Sequence, residues 1–507
     1  MGSILAITLP RLLALLTALI ITGCAAVGPD YVRPEVSVPG EWNEAAGANS
    51  STKQMDTKRL AEWWTTLNDP ELTSLIERAV QKNTDIRKAA ARVREARARR
   101  GISNAELFPS ATTSGSAQHF HNSSQNGTST GEGLSSTSAQ AGNLTDSDLY
   151  SVGFDASWEL DLFGGKRRSV EAAQANLEAS EEDLNDVLVT LIGEVAANYV
   201  DLRSYQAKLS IAEKNRDSQQ ETYEITSWRY QAGLTTGLDL EQARYNLEQT
   251  RAQIPTLQTG LEKAKNRIAV LLGLNPGSLN RELSDRKPVP AASLEIAVGV
   301  PADALRNRPD VRRAERKLAA QTAQIGVATA ELYPKFTLSG SIGLEALSLS
   351  TLFNSGSKVY SYGAGFTWNI FNAGKIRQNI EVQNALQEQA LIGYEAAILS
   401  SLEEVNDALV SYAQEQVRRE SLAEASQAAQ RAVDLAQYQY SSGLIDFQIV
   451  LDSQRSLLSF QEQLASSEAA VISDLISIYK ALGGGWTSLT ADEKKITLMG
   501  GRNENKN

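Results

Sequence analysis

The stretch that decides the fold is a long run without proline, KRRSVEAAQANLEASEEDLNDVLVTLIGEVAANYVDLRSYQAKLSIAEKNRDSQQETYEITSWR, residues 166–229. Alanine, leucine, glutamine and glutamate dominate it, and these residues favour helix. Its apolar residues recur at spacings of three and four, as in a coiled coil; they include Leu177, Leu184, Leu188, Leu191, Val195 and Leu202. At about 1.5 Å per residue, the run predicts a helix roughly 95 Å long. A second run, residues 375–439, has the same character.

Both runs belong to a tandem repeat. Upstream of them, residues 105–109 and 330–334 both read Ala-Glu-Leu-aromatic-Pro, 225 residues apart. Downstream the offset is 210 residues, which pairs Tyr230 with Tyr440 and Gly233 with Gly443. The offset changes because the first copy alone carries a Ser/Thr/Gly/Asn-rich segment, residues 122–147. Each copy therefore predicts a short helix, a two-stranded hairpin, a long helix and, after a glycine turn, another short helix.

Strict alternation of apolar and polar residues precedes each long run. Even positions are apolar and odd positions polar or small over residues 150–162 and 360–370, and the same holds over 336–342 apart from Gly340. This period of two predicts strands with one dry and one wet face. A length of about ten residues with aromatics near the ends is typical of transmembrane β-strands. A half-buried hairpin of a soluble sheet would show the same alternation.

The N-terminus predicts export and lipidation. Residues 12–21 are apolar, follow Arg11, and are too few to span a bilayer but suit a signal peptide. They end in Ile21-Thr22-Gly23-Cys24, which resembles a bacterial lipobox. The resemblance implies cleavage before Cys24 and a lipid on that residue. No aspartate follows Cys24, which by the same resemblance implies the outer membrane.

Composition excludes several function classes. A net charge of −11 and a pI near 5.1 disfavour nucleic acid as a partner. Cys24 is the only cysteine, so no intrachain disulfide forms. His119 and His121 are the only histidines, which argues against a histidine-based catalytic or metal site. We expect no enzyme activity, no metal and no cofactor apart from a covalent lipid.

Counting strands predicts an oligomer. Two hairpins supply four strands, too few to close a barrel, and an open edge in lipid is costly. Two copies would give eight strands with a filled interior, and three copies would give twelve with room for a pore. Three copies of a duplicated chain also place six similar units around one axis. The expected fold is mixed and mainly α: a long coiled-coil helical barrel with a small transmembrane β-barrel shared between three subunits.

The repeat also sets the predicted domain boundaries. Residues 1–23 form a signal peptide and 24–70 a lipidated extended tether. Repeat 1 spans residues 71–275, an equatorial segment 276–301, repeat 2 residues 302–485, and a polar tail 486–507. In repeat 1 the short helices are expected over residues 72–105 and 239–272. The helix reversals are expected at residues 231–234 and 441–444.

Several motifs resemble those of the TolC-type outer-membrane efflux factors, in their lipoprotein (NodT-like) subfamily. They are Gly28-Pro29-Asp30-Tyr31, Trp63-Trp64, Asn83-Thr84-Asp85, Arg308-Pro309-Asp310-Val311, Phe371-Asn372-Ala373-Gly374-Lys375 and Leu451-Asp452-Ser453-Gln454. The resemblance covers residues 24–486. It implies a homotrimeric duct in the outer membrane of a Gram-negative bacterium that projects into the periplasm. The implied partners are a periplasmic membrane-fusion adaptor and an inner-membrane resistance-nodulation-division pump, which supplies the energy.

The same resemblance implies where the duct closes. A carboxylate near the second helix tip lines the family's closed aperture, and Asp452 matches it. We hypothesise that Asp446 and Asp452 form acidic rings at a periplasmic gate, beside the matching Tyr440. Ile445 and Ile449 stand where other members carry polar gate residues, so those bonds cannot be transferred. Adaptor contact is expected at the tips Gly233, Leu234, Gly443 and Leu444, although glycines there also cap helices.

Two other functions remain open at this point. One is an outer-membrane duct for polypeptides that works with an ABC-type partner. The other is a coiled-coil tether of the envelope that does not conduct, for which alternating aromatic hairpins have no use. Neither the exported substrate nor the identity of the adaptor and pump follows from the sequence.

Overall fold

The computed structural model describes residues 26–35, 60–121, 146–290 and 305–486. The signal peptide and Cys24 lie outside the described residues. So do most of the tether and tail, the Ser/Thr-rich segment up to residue 145, and residues 291–301 of the equatorial segment. Two compact units make up the chain. The sheet unit lies within Met1–Arg33, Ala96–Leu177 and Lys317–Ala390, and the helical unit within Pro34–Glu95, Glu178–Arg316 and Leu391–Asn507.

The helices follow the predicted repeat. In chain order they are α1 Pro70–Lys82, α2 Thr84–Ala105, α3 Gly165–Gln231, α4 Gly237–Leu271, α5 Pro309–Ala330, α6 Lys375–Ser441 and α7 Phe447–Ala481. The long helices α3 and α6 each contain 67 residues, which confirms the two long runs. Helices α4 and α7 each contain 35 residues. The chain is therefore mainly helical.

One predicted helix is wrong. Residues 72–105 do not form a single short helix, because α1 ends at Lys82 and α2 begins at Thr84. Asn83 has extended ψ, and its side-chain oxygen accepts from the backbone N–H groups of Asp85 and Ile86, at 2.7 and 3.1 Å. Its amide nitrogen donates to the carbonyl of Leu271 at 2.9 Å. Asn83 thus caps the N-terminus of α2. This capping role competes with continuation of α1 through residue 83.

Four strands form a single antiparallel sheet. They are β1 Ser110–His121, β2 Asp146–Leu160, β3 Lys335–Ala346 and β4 Lys358–Thr367, in the order β1-β2-β3-β4. Both predicted hairpins are present, and β2 joins β3, so the two repeats share one sheet. Among the described residues, strands β1 and β4 each pair on one side only, so both edges of this sheet are open.

The core of the helical unit is built around tryptophan and aliphatic side chains. Trp63 is almost fully buried and stacks on Tyr479 with ring centroids 5.2 Å apart. Aliphatic residues of α1, α3, α4 and α7 surround it, among them Leu72, Leu75, Ile192, Leu202, Ile268 and Leu475. A small number of large side chains therefore joins helices from both repeats.

The Arg308-Pro309-Asp310 motif is a buried anchor of repeat 2. The Arg308 guanidinium donates to Asp310, to Glu404 and to the carbonyl of Ala481, at 2.6 to 2.8 Å for its Nη atoms. Burial alone would raise the pKa of Asp310, but the Arg308 guanidinium holds that pKa below its usual value. In repeat 1, Asn83 reaches the equivalent carbonyl, that of Leu271. The Arg308 guanidinium and the Asn83 amide therefore donate to equivalent carbonyls, at the C-terminal ends of α7 and α4.

Candidate functional site

The sheet has one apolar face. Even-numbered residues of β2, β3 and β4 lie on it, and register places Phe154, Ile342 and Tyr360 side by side across three strands. Large side chains on this face are exposed to solvent in the single chain; they include Phe154, Leu338, Ile342, Tyr360, Tyr362 and Phe366. A monomeric soluble protein rarely exposes so large a contiguous apolar patch. This face therefore needs an apolar environment outside the chain.

The opposite face of the sheet is polar. Hydroxyl pairs cross the strands at Ser116–Ser151 and Ser341–Ser361, with oxygens 2.9 and 2.8 Å apart. This face also carries carboxylates, since the register places Asp155, Glu159 and Glu345 on it. Val359 and Phe120 are the large apolar exceptions. One dry and one wet face is the arrangement of strands that line an aqueous passage through lipid.

Two glycines bring β2 and β3 close together on the polar face. Gly153 lies opposite Gly343 in the register. A Cβ on Gly343 would lie 2.7 Å from the carbonyl oxygen of Val152, and one on Gly153 would lie 3.0 Å from that of Ile342. The seam between the two repeats therefore depends on the absence of a side chain at both positions.

Indole rings mark one end of the sheet. Trp158 donates its N–H to the carbonyl of Leu107 at 2.9 Å, and Trp368 donates to that of Leu332 at 3.0 Å. The two tryptophans are equivalent in the repeat, and so are the two leucines. Indoles with one apolar and one polar side favour the membrane–water interface. The repeat thus places one fixed indole at the same end of each hairpin.

The N-terminal segment packs against this end of the sheet unit. Val27 donates its backbone N–H to the carbonyl of Phe163 at 3.0 Å. The buried Arg168 donates to the carbonyls of Val27 and Gly28 and to the Asp30 carboxylate, the last at 2.6 Å. These contacts fix residue 27, which lies three positions after Cys24. The predicted lipidation of Cys24 itself falls outside the described residues and stays a prediction.

Both helix tips reverse at the predicted glycines. Gly233 and Gly443 have φ of +72° and +74°, the left-handed region that favours glycine. The N–H of Leu234 bonds the carbonyl of Arg229, and that of Leu444 bonds the carbonyl of Gln439, at 2.8 and 2.9 Å. The leucine side chains are left exposed. The tip glycines therefore act as helix caps whether or not an adaptor binds there.

Tyr440 joins the two tips through a contact that the sequence did not reveal. The Arg229 guanidinium lies over its ring, 4.5 Å from the centroid, and donates to its carbonyl at 2.9 Å. Tyr440 also packs against Phe447, with centroids 5.2 Å apart. We call the Arg229–Tyr440 contact the tip clasp. It connects the end of α3 in repeat 1 with the end of α6 in repeat 2.

A second arginine–tyrosine pair lies close to the tips. The Arg455 guanidinium of α7 lies 5.1 Å from the ring centroid of Tyr245 in α4 and donates to its hydroxyl. It also donates to the side-chain oxygen of Asn246 at 3.1 Å. Tyr245 and Arg455 occupy equivalent positions of the two repeats. No local sequence signal identifies either pair, because each joins residues more than 200 positions apart.

The two proposed gate carboxylates differ in their surroundings. Asp446 is the N-cap of α7, is exposed, and makes no side-chain capping hydrogen bond. Asp452 accepts from Gln448 at 3.0 Å and lies 3.8 Å from an Arg455 guanidinium nitrogen. Asp446 therefore presents the less compensated charge within one chain. Acidic rings require several copies, so their existence stays a prediction.

The described residues contain no group of three or more His, Cys, Asp or Glu that could hold a metal ion. His119 pairs with Asp148 across β1 and β2, at 2.8 Å. In the helical unit, burial and the neighbouring Glu415 raise the pKa of Asp474 to about 6. Among the described helices, none is both long and apolar enough to span a bilayer.

Comparison with known proteins gives the same family from sequence and from structure. The profile described as outer membrane efflux protein matches residues 75–274 and 300–484, two ranges that overlap the predicted repeats. Nodulation protein T of Rhizobium leguminosarum bv. trifolii is 32% identical over 475 residues, covering 92% of this chain and 96% of the relative. The solvent efflux pump outer membrane protein SrpC of Pseudomonas putida is 33% identical over 478 residues, covering 94% and 98%. The cation efflux system protein CusC of Escherichia coli K12 is 32% identical over 483 residues, covering 94% and 99%.

Solved structures agree with these relatives. The outer-membrane channel OprN matches with a TM-score of 0.83 and 35% identity, covering 91% of this chain and 100% of that one. The CusC structure matches with a TM-score of 0.77 and 29% identity, with the same coverage. The chain belongs to the outer membrane efflux protein family and is an efflux channel protein of the Gram-negative outer membrane.

Proposed function

We propose that three copies of this chain close one twelve-stranded barrel and continue it as a helical tunnel, which forms the passive outer-membrane duct of a tripartite efflux pump. One observation carries the proposal: a four-stranded sheet with open edges, one apolar face and one polar face. Unpaired strand edges are too costly in lipid. Strands β1 and β4 run in opposite directions, so β4 of one copy can pair with β1 of the next and leave no edge.

Neighbouring residues of β4 provide a matched test. Tyr362 lies on the apolar face and Ser361 on the polar face, so Tyr362→Asp puts a charge into lipid while Ser361→Asp puts one into water. On the lipid face a charge costs about 2–4 kcal/mol per copy for Lys or Arg at the bilayer midplane, and less for Asp. We expect Tyr362→Asp to abolish bilayer conductance and Ser361→Asp to keep it.

A monodisperse single-chain species in detergent, measured by light scattering for the unmodified protein, would refute the shared barrel.

Membership of the family supports the proposed partners. The lipid on Cys24 anchors the chain in the outer membrane, a periplasmic membrane-fusion adaptor binds the helix tips, and an inner-membrane resistance-nodulation-division pump supplies energy. The duct itself performs no catalysis and holds no cofactor apart from the lipid. Mass spectrometry of the mature N-terminus tests the lipid: an unmodified Cys24 in protein from the native membrane would contradict it.

The proposed cargo is small molecules. CusC is named for cation efflux and SrpC for solvent efflux, and both align with nearly this whole chain. Similar ducts are thus found in systems named for chemically different exported molecules. This supports selection of the cargo by the pump rather than by the duct. Sensitivity of a deletion strain to metals, solvents and drugs identifies the class. Unchanged sensitivity to every small molecule, with lost secretion of a polypeptide, would favour the polypeptide duct.

The proposed gate lies at the helix tips. Asp446 and Asp452, each present three times, form acidic rings that favour cations, and the tip clasp restrains the helices beside them. Replacing each carboxylate by its amide, Asp446→Asn or Asp452→Asn, removes charge with little change of volume. We expect lower cation preference in bilayers, with the larger effect for Asp446 because Asp452 has Arg455 nearby. Unchanged ion preference in both variants would refute the proposed acidic rings.

The tips Gly233, Leu234, Gly443 and Leu444 are the proposed adaptor contacts. The exposed Leu234 and Leu444 supply apolar side chains next to the glycine turns. We expect Leu234→Glu and Leu444→Glu to weaken adaptor binding while the trimer and its conductance persist. Binding that is unchanged in the double variant would place the adaptor elsewhere.

A further inference from the structure

Each long helix packs on the short helix of its own repeat in the same way. Ile86 of α2 lies in one apolar cluster with Leu188 of α3, and the equivalent Val311 of α5 lies in one with Ile398 of α6. The bounds of α2 and α5 agree residue for residue after the offset of 225, and those of α3 and α6 after the offset of 210. Equivalent positions of these helices can therefore be compared directly.

Helix α3 has a second neighbour, which is α5 of the other repeat. The Arg312 guanidinium of α5 lies 2.7 Å from the carboxylate of Glu182, and that of Arg316 lies 3.3 Å from the carboxylate of Glu178. The partner number falls as the arginine number rises, so the two helices run antiparallel. Inside one chain, repeat 2 is thus joined to repeat 1 by arginines of α5 on carboxylates of α3.

The face of α6 that is equivalent to this joint is exposed in the single chain. Three positions of α3 on this face are 7%, 2% and 5% exposed; they are Glu182, Asn185 and Val189. Their equivalents in α6 are all exposed, and they are Ile392, Glu395 and Leu399. We call these three residues the open face of α6. Side chains that are covered in repeat 1 therefore have counterparts in repeat 2 that a single chain leaves uncovered.

The other half of the same joint is exposed on α2. Arg87 and Lys88 are equivalent to Arg312 and Arg313, and both are exposed, as is Ala91 one turn further on. We call these three residues of α2 its basic face. Within the described residues, no ion pair involves Arg87 or Lys88. One chain thus carries both halves of a second joint, on two separate helices, and each half lacks its counterpart.

The joint inside the chain predicts how these two faces meet. Transferred by the repeat offsets, its register places Arg87 of one copy opposite Ile392 of the next, and Lys88 opposite Ala396. Glu395 lies three residues after Ile392, about 4.5 Å along the same side of the helix, which is within reach of the Arg87 guanidinium. The aliphatic stem of Arg87 would then cover the apolar Ile392.

We propose that the basic face of α2 docks on the open face of α6 of a neighbouring copy, with an ion pair between Arg87 and Glu395. The proposal rests on the proposed shared duct and assigns its contact between helices of different copies. A second copy is the occupant because the two faces are complementary in charge and because their repeat equivalents, α5 and α3, already pack together within one chain. The two faces are different surfaces, so the contact is head-to-tail and can close a ring.

The contact between copies is more apolar than the joint within one chain. In that joint, Arg313 donates to Asp183 and Asp186 at 2.9 and 2.7 Å. Gly393 and Ala396 occupy the equivalent positions of α6. Small residues there let a neighbouring helix approach closely and leave one carboxylate on the open face. The Arg87 pair therefore fixes the register of an otherwise apolar contact.

Cross-linking between differently tagged copies tests the contact. One tagged chain carries Lys88→Cys and the other Ala396→Cys, which leaves the proposed ion pair intact. After co-expression, a short bis-maleimide bonds one thiol at each of its ends, and a product with both tags comes only from two copies. Cys24 is the only cysteine, so the parent protein gives the background. We expect several-fold more mixed product than with Leu435→Cys, an exposed position about 60 Å further along α6.

Three outcomes would overturn the proposal. The first is the absence of mixed product in material that light scattering shows to be oligomeric. The second is equal cross-linking at Leu435, and the third is efficient cross-linking between two Lys88→Cys copies, which would show a symmetric contact of α2 with itself. Oligomeric material keeps the shared duct in all three cases, whereas a single-chain species would refute the duct itself.

Charge reversal supplies a second measurement. Arg87→Glu and Glu395→Arg each place like charges opposite one another, and each should lower several-fold the fraction of oligomer that survives mild heating in detergent. The double variant restores opposite charges and should recover most of that fraction. Arg244→Glu, at an exposed pair of the helix tip, is the control and should leave the fraction unchanged. Full survival of both single variants, or no recovery in the double variant, would contradict the ion pair.

Discussion

The tip clasp gives the sharpest prediction about gating. Arg229 connects the tip of repeat 1 to Tyr440 of repeat 2 through a hydrogen bond of 2.9 Å and a cation–π contact of 4.5 Å. If opening separates the two tips, both contacts break in every copy. Removing the guanidinium by Arg229→Ala should therefore favour the open duct.

The magnitude follows from the contacts. A hydrogen bond from a charged donor contributes about 1.5–3 kcal/mol, and a partly desolvated cation–π contact about 1–2 kcal/mol. Both depend on the same group, so they do not add in full. The Nε of Arg229 and the hydroxyl of Tyr440 are buried without a hydrogen-bond partner, which lowers the net gain further. About 2 kcal/mol per copy remains, which corresponds to about a 30-fold change in an opening equilibrium.

Single-channel recording in planar bilayers measures this effect. We expect Arg229→Ala to open far more often than the unmodified protein, and Arg229→Lys to lie between them because it keeps the charge but loses the planar group. Arg244→Ala is the matched control, since Arg244 makes only an exposed pair with Glu241 at 3.9 Å. Equal opening of Arg229→Ala and Arg244→Ala, in properly assembled protein, would refute a gating role of the clasp.

Three further predictions concern stability and assembly. Asp474→Asn should raise the melting temperature at pH 7, because the ionised Asp474 is disfavoured in the folded state. The raised pKa, about 6 against 3.8, makes the native protein lose stability as pH rises from about 4 to 6, and the variant should lose this dependence; an unchanged pH profile of thermal unfolding would contradict it. Arg308→Ala leaves the half-buried Asp310 without its main partner and should cost about 1–3 kcal/mol. We expect this loss as faster hydrogen exchange at the α5 N-terminus. The exposed Arg431→Ala serves as control, and equal exchange in the two variants would refute the anchor. Gly343→Val should block pairing of β2 with β3, since even a Cβ would lie 2.7 Å from the Val152 carbonyl oxygen. Gly363→Val is the control and should still assemble, because its Cβ would have no atom within 4 Å. Assembly of both variants in detergent would show that β2 and β3 can move apart to admit the side chain.

The sequence predicts those parts of the fold that depend on local periodicity. Leu184 to Leu202 repeat with helical spacing, and Phe154 and Tyr360 alternate with polar neighbours, so helix, strand and face all follow. The family is recognisable for a related reason, because motifs such as that at Arg308 are short and contiguous. The break at Asn83 does not follow, because apolar residues continue on both sides of it. The residue that makes the break is a cap whose partner, the Leu271 carbonyl, lies far along the chain.

The site follows from the sequence only in part, for a similar reason. Tyr440 and Asp452 are visible because they lie in contiguous motifs, but Arg229 and Arg455 are not. Each of these arginines has a partner in the other repeat, and no pattern within one repeat encodes that pairing. Contacts between repeats must therefore be found in three dimensions, even when the repeat itself is plain.

Comparison of the two repeats separates what the backbone requires from what the surroundings require. Gly164 and Gly374 have the same left-handed backbone, so that feature belongs to the strand-to-helix turn. Asp161 and Phe371 occupy one position of that turn with opposite chemistry, and within the described part of the chain only the first has a covering segment and an internal cation. Replacement of the ion pair by a ring that is 87% exposed in the single chain indicates that the strand-to-helix turn of repeat 2 meets different surroundings from that of repeat 1.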